Sequence, residues 1–190
     1  MNRNFLLLFL CAWVAFGFGW FKKKDKENVV KVKADPAAVL QNGYALLFKL
    51  MGDEKDVSKL LIIKKETSEL HELIKAIAER AKLAHRDLEA LVKGDIQVNL
   101  KDDGLPAAES ATRESISKIK AKELLGAKGS ELELLLLLSQ SEALTYGSNL
   151  AGVLAASESE PKRKDLMDRL AADLGELRGR VVKMLSQHYH

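Results

Sequence analysis

A heptad repeat of apolar residues between positions 56 and 92 constrains the fold of this chain more than any other feature. With Leu60 at heptad position a, nine of the ten a and d positions are apolar, and Thr67 is the exception. The a positions are Leu60, Thr67, Ile74, Ala81 and Leu88, and the d positions are Ile63, Leu70, Ile77, Ala84 and Leu91. Such a sustained repeat is typical of a long helix with one buried seam. We therefore predict a helix capped by Asp56 and ended by Gly94.

Four further helices are indicated by the spacing of apolar residues and by residues that favour helix ends. Their expected ranges are 36–51, 106–125, 130–157 and 161–187. Asp35 is expected to cap the first of these helices, and Gly52 to end it. Ser130 with Glu133 predicts a capping box at the start of the helix 130–157. Residues 95–106 lose the helical period and collect turn-forming residues, so we predict the main loop there.

The predicted helices differ in the pattern of their surfaces. The helix 106–125 has few large apolar residues and carries two oppositely charged pairs four residues apart, which is typical of a solvated outer helix. The run Leu134 to Leu138 is apolar on every side, which predicts a central position in the fold. In the last helix, Gly175 and Gly179 fit either close approach by another helix or a plain surface.

These patterns predict an all-α fold. Four sizeable helices with short connections fit an antiparallel, up-and-down four-helix bundle with a short extra N-terminal helix. The alternative is an elongated dimeric coiled coil that uses the long helix as its seam. The bundle domain is expected to cover residues 36–187, after a charged linker at residues 22–35.

Residues 1–21 form a hydrophobic leader in which an apolar run follows Arg3. Small residues near the end of the run are typical of a cleavage site, so we predict a signal peptide and a periplasmic or secreted protein. The alternative is a membrane anchor formed by residues 5–21, which are just long enough to span a bilayer. Lys22, Lys23 and Lys24 oppose the usual orientation of such an anchor, and they could contact anionic lipid.

Composition argues against several classes of function. The net charge of +3, without a basic face that carries interleaved aromatic residues, argues against a nucleic-acid partner. Cys11 is the one cysteine, so a mature chain without its leader has neither a disulfide nor a cysteine nucleophile. The sequence shows no catalytic-triad motif, glycine-rich phosphate loop or zinc-ligand spacing, so we do not expect an enzyme.

Histidine offers the one route to a metal site. His71 and His85 lie 14 residues apart on the long helix, about 21 Å along its axis, so they cannot bind one ion together. His85 and Glu89, four residues on, could bind iron or zinc together with Glu142 from another helix. A partly exposed helix histidine is the simpler interpretation of His85.

The helix 130–157 also carries a row of polar residues beside its leucines. The row consists of Gln140, Glu142, Tyr146 and Asn149. Two interpretations stay open, a buried polar cluster that binds a ligand or fixes the helix register, and simple surface exposure.

The order of these features resembles a bacterial family. The long helix contains AERAKLAHRDLEAL, the loop ends in Leu-Pro, an apolar helix follows, and a Pro introduces the last helix. With the export signal, the chain resembles the ferritin-like domain-of-unknown-function family of secreted or periplasmic helical bundles over about residues 56–186. The resemblance implies a ferritin-like fold. The family's Asp-His pair falls on Ala84 and His85, so His85 carries over, whereas the family's later histidines have no counterpart around Glu142 or Arg180.

Three functions follow as expectations. The leading one is an exported, non-enzymatic interaction or envelope-associated module without a cofactor, whose partner is another protein or a second copy of the chain. One alternative is a ferritin-like metal-binding protein with His85, Glu89 and Glu142 as ligands. The other alternative is a membrane-anchored coiled-coil protein.

Overall fold

The computed structural model describes residues 35–59, 67–94 and 98–188. These residues form five α-helices and one short 3-10 turn: α1 (Pro36–Glu54), the turn Val57–Lys59, α2 (Ser68–Gly94), α3 (Ala107–Gly126), α4 (Gly129–Ser157) and α5 (Pro161–His188). Within these ranges no strand occurs, so the expectation of an all-helical protein is confirmed. The predicted leader and residues 22–34 of the linker lie outside the described residues.

The first helix begins as predicted and ends later. The backbone N–H of Ala37 donates to Asp35 Oδ1 over 3.1 Å, which confirms Asp35 as the N-cap. The prediction that Gly52 ends the helix is wrong, because α1 continues to Glu54. A glycine inside a helix costs about 1 kcal/mol relative to alanine.

The long helix begins later than predicted. Asp56 does not cap it: the Asp56 carbonyl accepts from the Lys59 N–H over 3.0 Å within the short turn that follows α1. The helix α2 starts at Ser68, where the Thr67 hydroxyl accepts from the Leu70 N–H over 3.4 Å. The polar residue in the heptad repeat is therefore the helix cap. Residues 60–66 lie outside the described residues.

The heptad seam is confirmed along α2. The buried a and d positions are Leu70, Ile74, Ile77, Ala81, Ala84 and Leu88, and Leu91 is partly buried. Leu73 and Ala78, at flanking heptad positions, are buried as well. A face of this width is typical of a helix in a globular core rather than of a narrow two-stranded seam.

The central place predicted for α4 is confirmed, since it packs against α1, α3 and α5. Gly147 lets both inner neighbours approach, because a Cβ there would lie 3.0 Å from Leu50 Cδ2 on α1 and from Leu174 Cδ1 on α5. The apolar run is not enclosed on every side, however. Leu136 and Leu137 are buried, whereas Leu138 is 45% exposed.

The last helix presents its predicted stripe to the core. Leu170, Leu174, Leu177, Val181 and Met184 are buried, and Leu166 is partly buried. Arg80 of α2 reaches Asp173 of α5 over 2.6 Å. A Cβ added at Gly175 or Gly179 would meet no atom within 4 Å, so the surface interpretation of these two glycines is correct.

The helix α3 lies on the outside, as predicted. Leu124 is its one buried residue, and the expected pairs Arg113–Glu109 and Lys118–Glu114 form over 2.7 and 2.6 Å. The loop before α3 is fixed to α1 by Gln41, whose amide bonds the backbone of Asn99 and Asp102 over 3.0–3.2 Å.

The capping box predicted for α4 is wrong. The helix begins at Gly129, which has a positive φ of 56°, so Ser130 already lies inside it. The N-cap is Lys128, which makes no side-chain cap hydrogen bond. Glu133 Oε1 instead accepts from the backbone N–H of Thr67 over 3.1 Å and so connects the start of α4 to the start of α2. None of the helices in the described ranges is long and apolar enough to cross a membrane.

Candidate functional site

An open groove of about 620 Å³ lies between α1, α3 and α4; we call it the α3 groove. Large apolar side chains line it: Leu46 and Leu50 of α1, Leu105 of the preceding loop, Ile116 of α3 and Tyr146 of α4. Ile116 is 47% exposed and Tyr146 is 37% exposed. The helices therefore leave apolar surface uncovered on two facing walls.

Charged side chains of both signs surround this apolar lining. The basic ones are Lys49, Arg113 and Lys120, and the acidic ones are Asp53, Asp103, Glu114 and Glu142. Partial burial raises the pKa of Asp53, and the nearby Lys49 opposes that effect. Bonding to Lys118 lowers the pKa of Glu114. The rim is thus nearly balanced in charge at neutral pH.

Two side-chain bridges connect α3 to α4 across the groove. The Arg113 guanidinium lies over the Tyr146 ring, 5.6 Å from its centroid, and Lys120 pairs with Glu142. The hydrogen bond to Glu109 raises the pKa of Arg113, so the cation over the ring is permanent. Because these bridges are long polar side chains at a partly exposed site, each stabilises the contact only weakly.

His85 lies in a different place, in a cleft between α2 and the end of α1 that we call the His85 cleft. Its ring stacks on Phe48 with centroids 4.0 Å apart, and its Nε2 lies 3.2 Å from Lys55 Nζ. Burial and the neighbouring Lys55 lower the pKa of His85, so the imidazole is neutral at neutral pH. In the tautomer that is protonated at Nδ1, Nε2 accepts a hydrogen bond from the Lys55 ammonium, and this occupies the lone pair that a metal ion would need at that nitrogen.

The structure brings together two of the three proposed metal ligands. Glu89 lines the His85 cleft beside His85, whereas Glu142 lies in the α3 groove and pairs with Lys120. In the described ranges, no group of three or more His, Cys, Asp and Glu side chains is placed to hold a metal ion.

The polar row on α4 divides between two environments. Glu142 and Tyr146 line the α3 groove, and the Asn149 amide donates to the Thr145 carbonyl on the exposed side over 2.8 Å. Gln140 is buried, with 2% of its surface exposed. Surface exposure is therefore the correct interpretation for most of the row, and Gln140 is the exception.

Sequence reasoning misses a buried ion pair at the α4–α5 connection. Glu158 is fully buried and accepts two hydrogen bonds from Arg163, over 2.8 and 2.9 Å, and one from the Tyr44 hydroxyl over 2.8 Å. The bond to Arg163 lowers the pKa of Glu158, and burial raises the pKa of Tyr44. The five-residue separation of Glu158 and Arg163 matches no helical pairing, because the helix is interrupted between them. Since both carboxylate oxygens are bonded, this cluster is structural.

Comparisons with protein-family models, with curated proteins and with solved structures gave no match.

Proposed function

We propose that this chain is an exported, non-catalytic helical-bundle module that binds a protein partner in the α3 groove. The occupant that we propose is an amphipathic helix of the partner, with one apolar stripe and charges of both signs beside it. The observation that carries the proposal is the separation of α3 from α1 and α4, which leaves Ile116 and Tyr146 exposed on facing walls.

The composition of the groove supports this class of partner. Helix-in-groove recognition needs an apolar channel that accepts residues spaced three and four apart. Aromatic and arginine side chains are enriched among the residues that dominate binding energy, and the groove offers Tyr146 and Arg113 in contact with each other. A rim of three cations and four anions favours a ligand of mixed charge over a nucleic acid or an anionic membrane.

We also propose that α1, α2, α4 and α5 form an antiparallel four-helix bundle of ferritin-like type, with α3 outside it. The support is that, in two pairs of packed helices, residue numbers increase along one helix while those of its contacts decrease along the other. Gly43 and Leu50 of α1 lie against Leu154 and Gly147 of α4. Across α2 and α5, Arg80 pairs with Asp173, and a surface cleft joins residues 68–73 to residues 180–187.

Spin labels on α2 and α5 distinguish the bundle from the coiled-coil alternative. Labels replacing Glu69 and Lys183, which line the same surface cleft, are expected to show a short distance within one chain. In an elongated coiled coil, which uses α2 as a seam between chains, α2 would be removed from α5 and that distance would be long. A long distance would therefore contradict the bundle.

Export rests on the leader at residues 1–21. Its test is the intact mass of the protein recovered from the cell envelope and medium of a bacterial host. A mass lacking the leader is expected, and a full-length chain held in the membrane would favour the anchored alternative. The metal-binding alternative is not proposed, because Lys55 occupies His85 Nε2 and Glu142 lies in the other site.

Site-specific photo-crosslinking in cells tests the binding proposal. A photoreactive side chain at Ile116 in the groove is expected to give an adduct with one partner. The same side chain at Gly179, where a Cβ meets no neighbouring atom, is the control and is expected to give none. Equal adducts from both positions would contradict the proposal.

Direct binding then identifies the contact. The helical segment of the partner that carries the crosslink, made as a peptide, is expected to bind the purified chain. Arg113→Glu is expected to weaken that binding at least about tenfold, the equivalent of 1.4 kcal/mol. Unchanged affinity in this variant would show that the peptide binds elsewhere.

A further inference from the structure

A second carboxyl with a buried oxygen lies at the end of α1, beside α4. Glu54 is the last residue of α1, and its carboxyl group lies within hydrogen-bonding reach of the Gln140 amide, which is 2% exposed. Glu54 Oε2 and Gln140 Oε1 are both buried, and neither has a hydrogen-bond partner within the described part of the chain.

A charged Glu54 cannot satisfy this pair. An ionised carboxylate only accepts hydrogen bonds, as does the oxygen of a glutamine amide. The Gln140 NH₂ group would then be the one donor of the pair, and it cannot donate to the oxygen of its own amide. Gln140 Oε1 would be left as a buried acceptor without a donor, which is costly. A protonated carboxyl supplies the missing donor, because an acid and a primary amide can form two hydrogen bonds to each other, O–H to the amide oxygen and N–H to the acid carbonyl.

We propose that Glu54 and Gln140 form a neutral acid–amide pair that latches the end of α1 to α4, and that loss of the Glu54 proton opens this latch. The proton goes to solvent, and the carboxylate left behind is hydrated only if the last turn of α1 moves away from Gln140.

The surroundings of Glu54 favour the neutral form. Burial raises its pKa to about 7, the hydrogen bond from Gln140 opposes this shift, and the negative charge of Asp53 adds to it. From α4 the facing group is the uncharged Gln140. From α2 the charged side chains near this end of α1 line the His85 cleft around Lys55: Lys75, Glu79, Lys82, His85, Arg86 and Glu89. No cation among the described residues lowers the pKa of Glu54.

The latch lies next to the His85 cleft in the chain, so its opening affects that cleft. Lys55 follows Glu54 directly and contacts His85, and the 3-10 turn at residues 57–59 comes next. Release of Glu54 frees the backbone that positions Lys55, so the His85 cleft opens as pH rises through neutrality. The pKa of Glu54 is higher in the folded state than in the unfolded chain. Its contribution to the free energy of unfolding is therefore complete below the ordinary pKa of a glutamate and is lost as pH rises through about 7.

The direct test is an NMR titration of the Glu54 carboxyl carbon in the unmodified full-length chain. The expected inflection of the carboxyl carbon shift is near pH 7. Amide exchange in residues 52–59 is expected to increase over the same pH range. An inflection in the ordinary glutamate range would overturn the proposal, as would an inflection near 7 without any change at residues 52–59. This titration does not depend on a variant that folds.

Glu54→Gln supplies the second measurement, because an amide keeps the two-point pairing and cannot ionise. Between pH 5 and 8 the melting temperature of the unmodified chain is expected to fall by at least about 4 °C relative to this variant. The exposed variant Glu131→Gln is the control and is expected to keep the dependence. The same pH dependence in Glu54→Gln and in the unmodified chain would contradict the latch.

Discussion

The two flanks of α4 show how one helix combines a closed interface with an open one. Toward α5, Gly147 brings the backbones close, and Leu174 fills the space over it. Toward α3, the contact is made by Leu124 and by the side-chain bridges to Tyr146 and Glu142, and a groove remains. Apolar area removed from water gives the closed flank its stability, whereas exposed polar bridges add little to the open one. The difference indicates that the α5 side maintains the fold and the α3 side is available for binding.

The buried carboxyls repeat this contrast at the two ends of the α1–α4 contact. Glu158 has a bonded partner on each oxygen, and the Arg163 bond lowers its pKa. Glu54 has a buried oxygen without a donor, and burial raises its pKa to about 7. A buried carboxylate with a partner on each oxygen fixes a structure, whereas a carboxyl that lacks one partner unless it is protonated makes the structure responsive to pH.

The largest effect is expected from breaking the satisfied pair. Glu158→Ala leaves the buried Tyr44 hydroxyl and the partly buried Arg163 guanidinium without their acceptor. Removal of one partner of a buried pair costs about 3–5 kcal/mol, measured as the free energy of unfolding in urea. The exposed Glu131→Ala is the control and is expected to change stability by less than about 0.5 kcal/mol. A loss below about 1 kcal/mol at Glu158 would remove the distinction between the two carboxyls.

The next effect is expected from two glycine substitutions on α4, one at its closely packed side and one at a position without close neighbours. Gly147→Ala places a methyl group 3.0 Å from the side-chain ends of both Leu50 and Leu174, so tight packing is expected to offset the gain of about 1 kcal/mol that alanine brings in a helix. Gly152→Ala, where no atom lies within 4 Å, is expected to stabilise by about 0.5–1 kcal/mol through helix propensity. Thermal or urea unfolding checks both variants. Equal responses at the two glycines would mean that the α5 flank is not closely packed.

Acid unfolding gives a smaller effect with a defined sign. Because bonding to Arg163 lowers the folded-state pKa of Glu158, its contribution is complete above the ordinary glutamate pKa and is lost as pH falls through the lowered value. We expect the free energy of unfolding to fall below about pH 4.5 with a slope that Glu158→Gln reduces. Urea unfolding at several acidic pH values measures this slope. An unchanged slope in the variant would show that other carboxylates dominate.

The smallest effect on stability is expected on the open flank. Arg113→Ala and Lys120→Ala remove the bridges at Tyr146 and Glu142, and each is expected to change the free energy of unfolding by less than about 0.5 kcal/mol. The same variants are expected to weaken binding of the partner helix, because they change the groove. A large loss of stability would mean that α3 belongs to the core.

The sequence predicts repetitive features of this fold well. The seam of α2, the stripe of α5 and the cap at Asp35 are confirmed because each depends on residues close together in the chain. The predicted start of α2 at Asp56 is wrong, because the apolar repeat continues in the sequence before Thr67 whereas the helix begins at Ser68. Periodicity indicates which face of a helix can be buried and does not mark where the helix begins.

The sites are less predictable from the sequence, because their residues are far apart in the chain. The groove depends on how far α3 lies from α1 and α4, and no local pattern encodes that distance. Tyr44 meets Glu158 across 114 residues, and Gln140 meets Glu54 from another helix. The sequence shows Glu89 as a neighbour of His85, but the contact of Lys55 with His85 Nε2 comes from the residue that follows α1. Such pairings follow from tertiary packing.

Amide hydrogen exchange along the full chain tests whether α4 has one closed and one open flank. The amides of α3 are expected to exchange much faster than those of α4 and α5. Addition of the partner helix is expected to slow exchange in α3 and around Tyr146, and to leave α5 unchanged. Protection of α3 equal to that of α5 in the free protein would mean that α4 has no open flank, because α3 would then be part of the packed core.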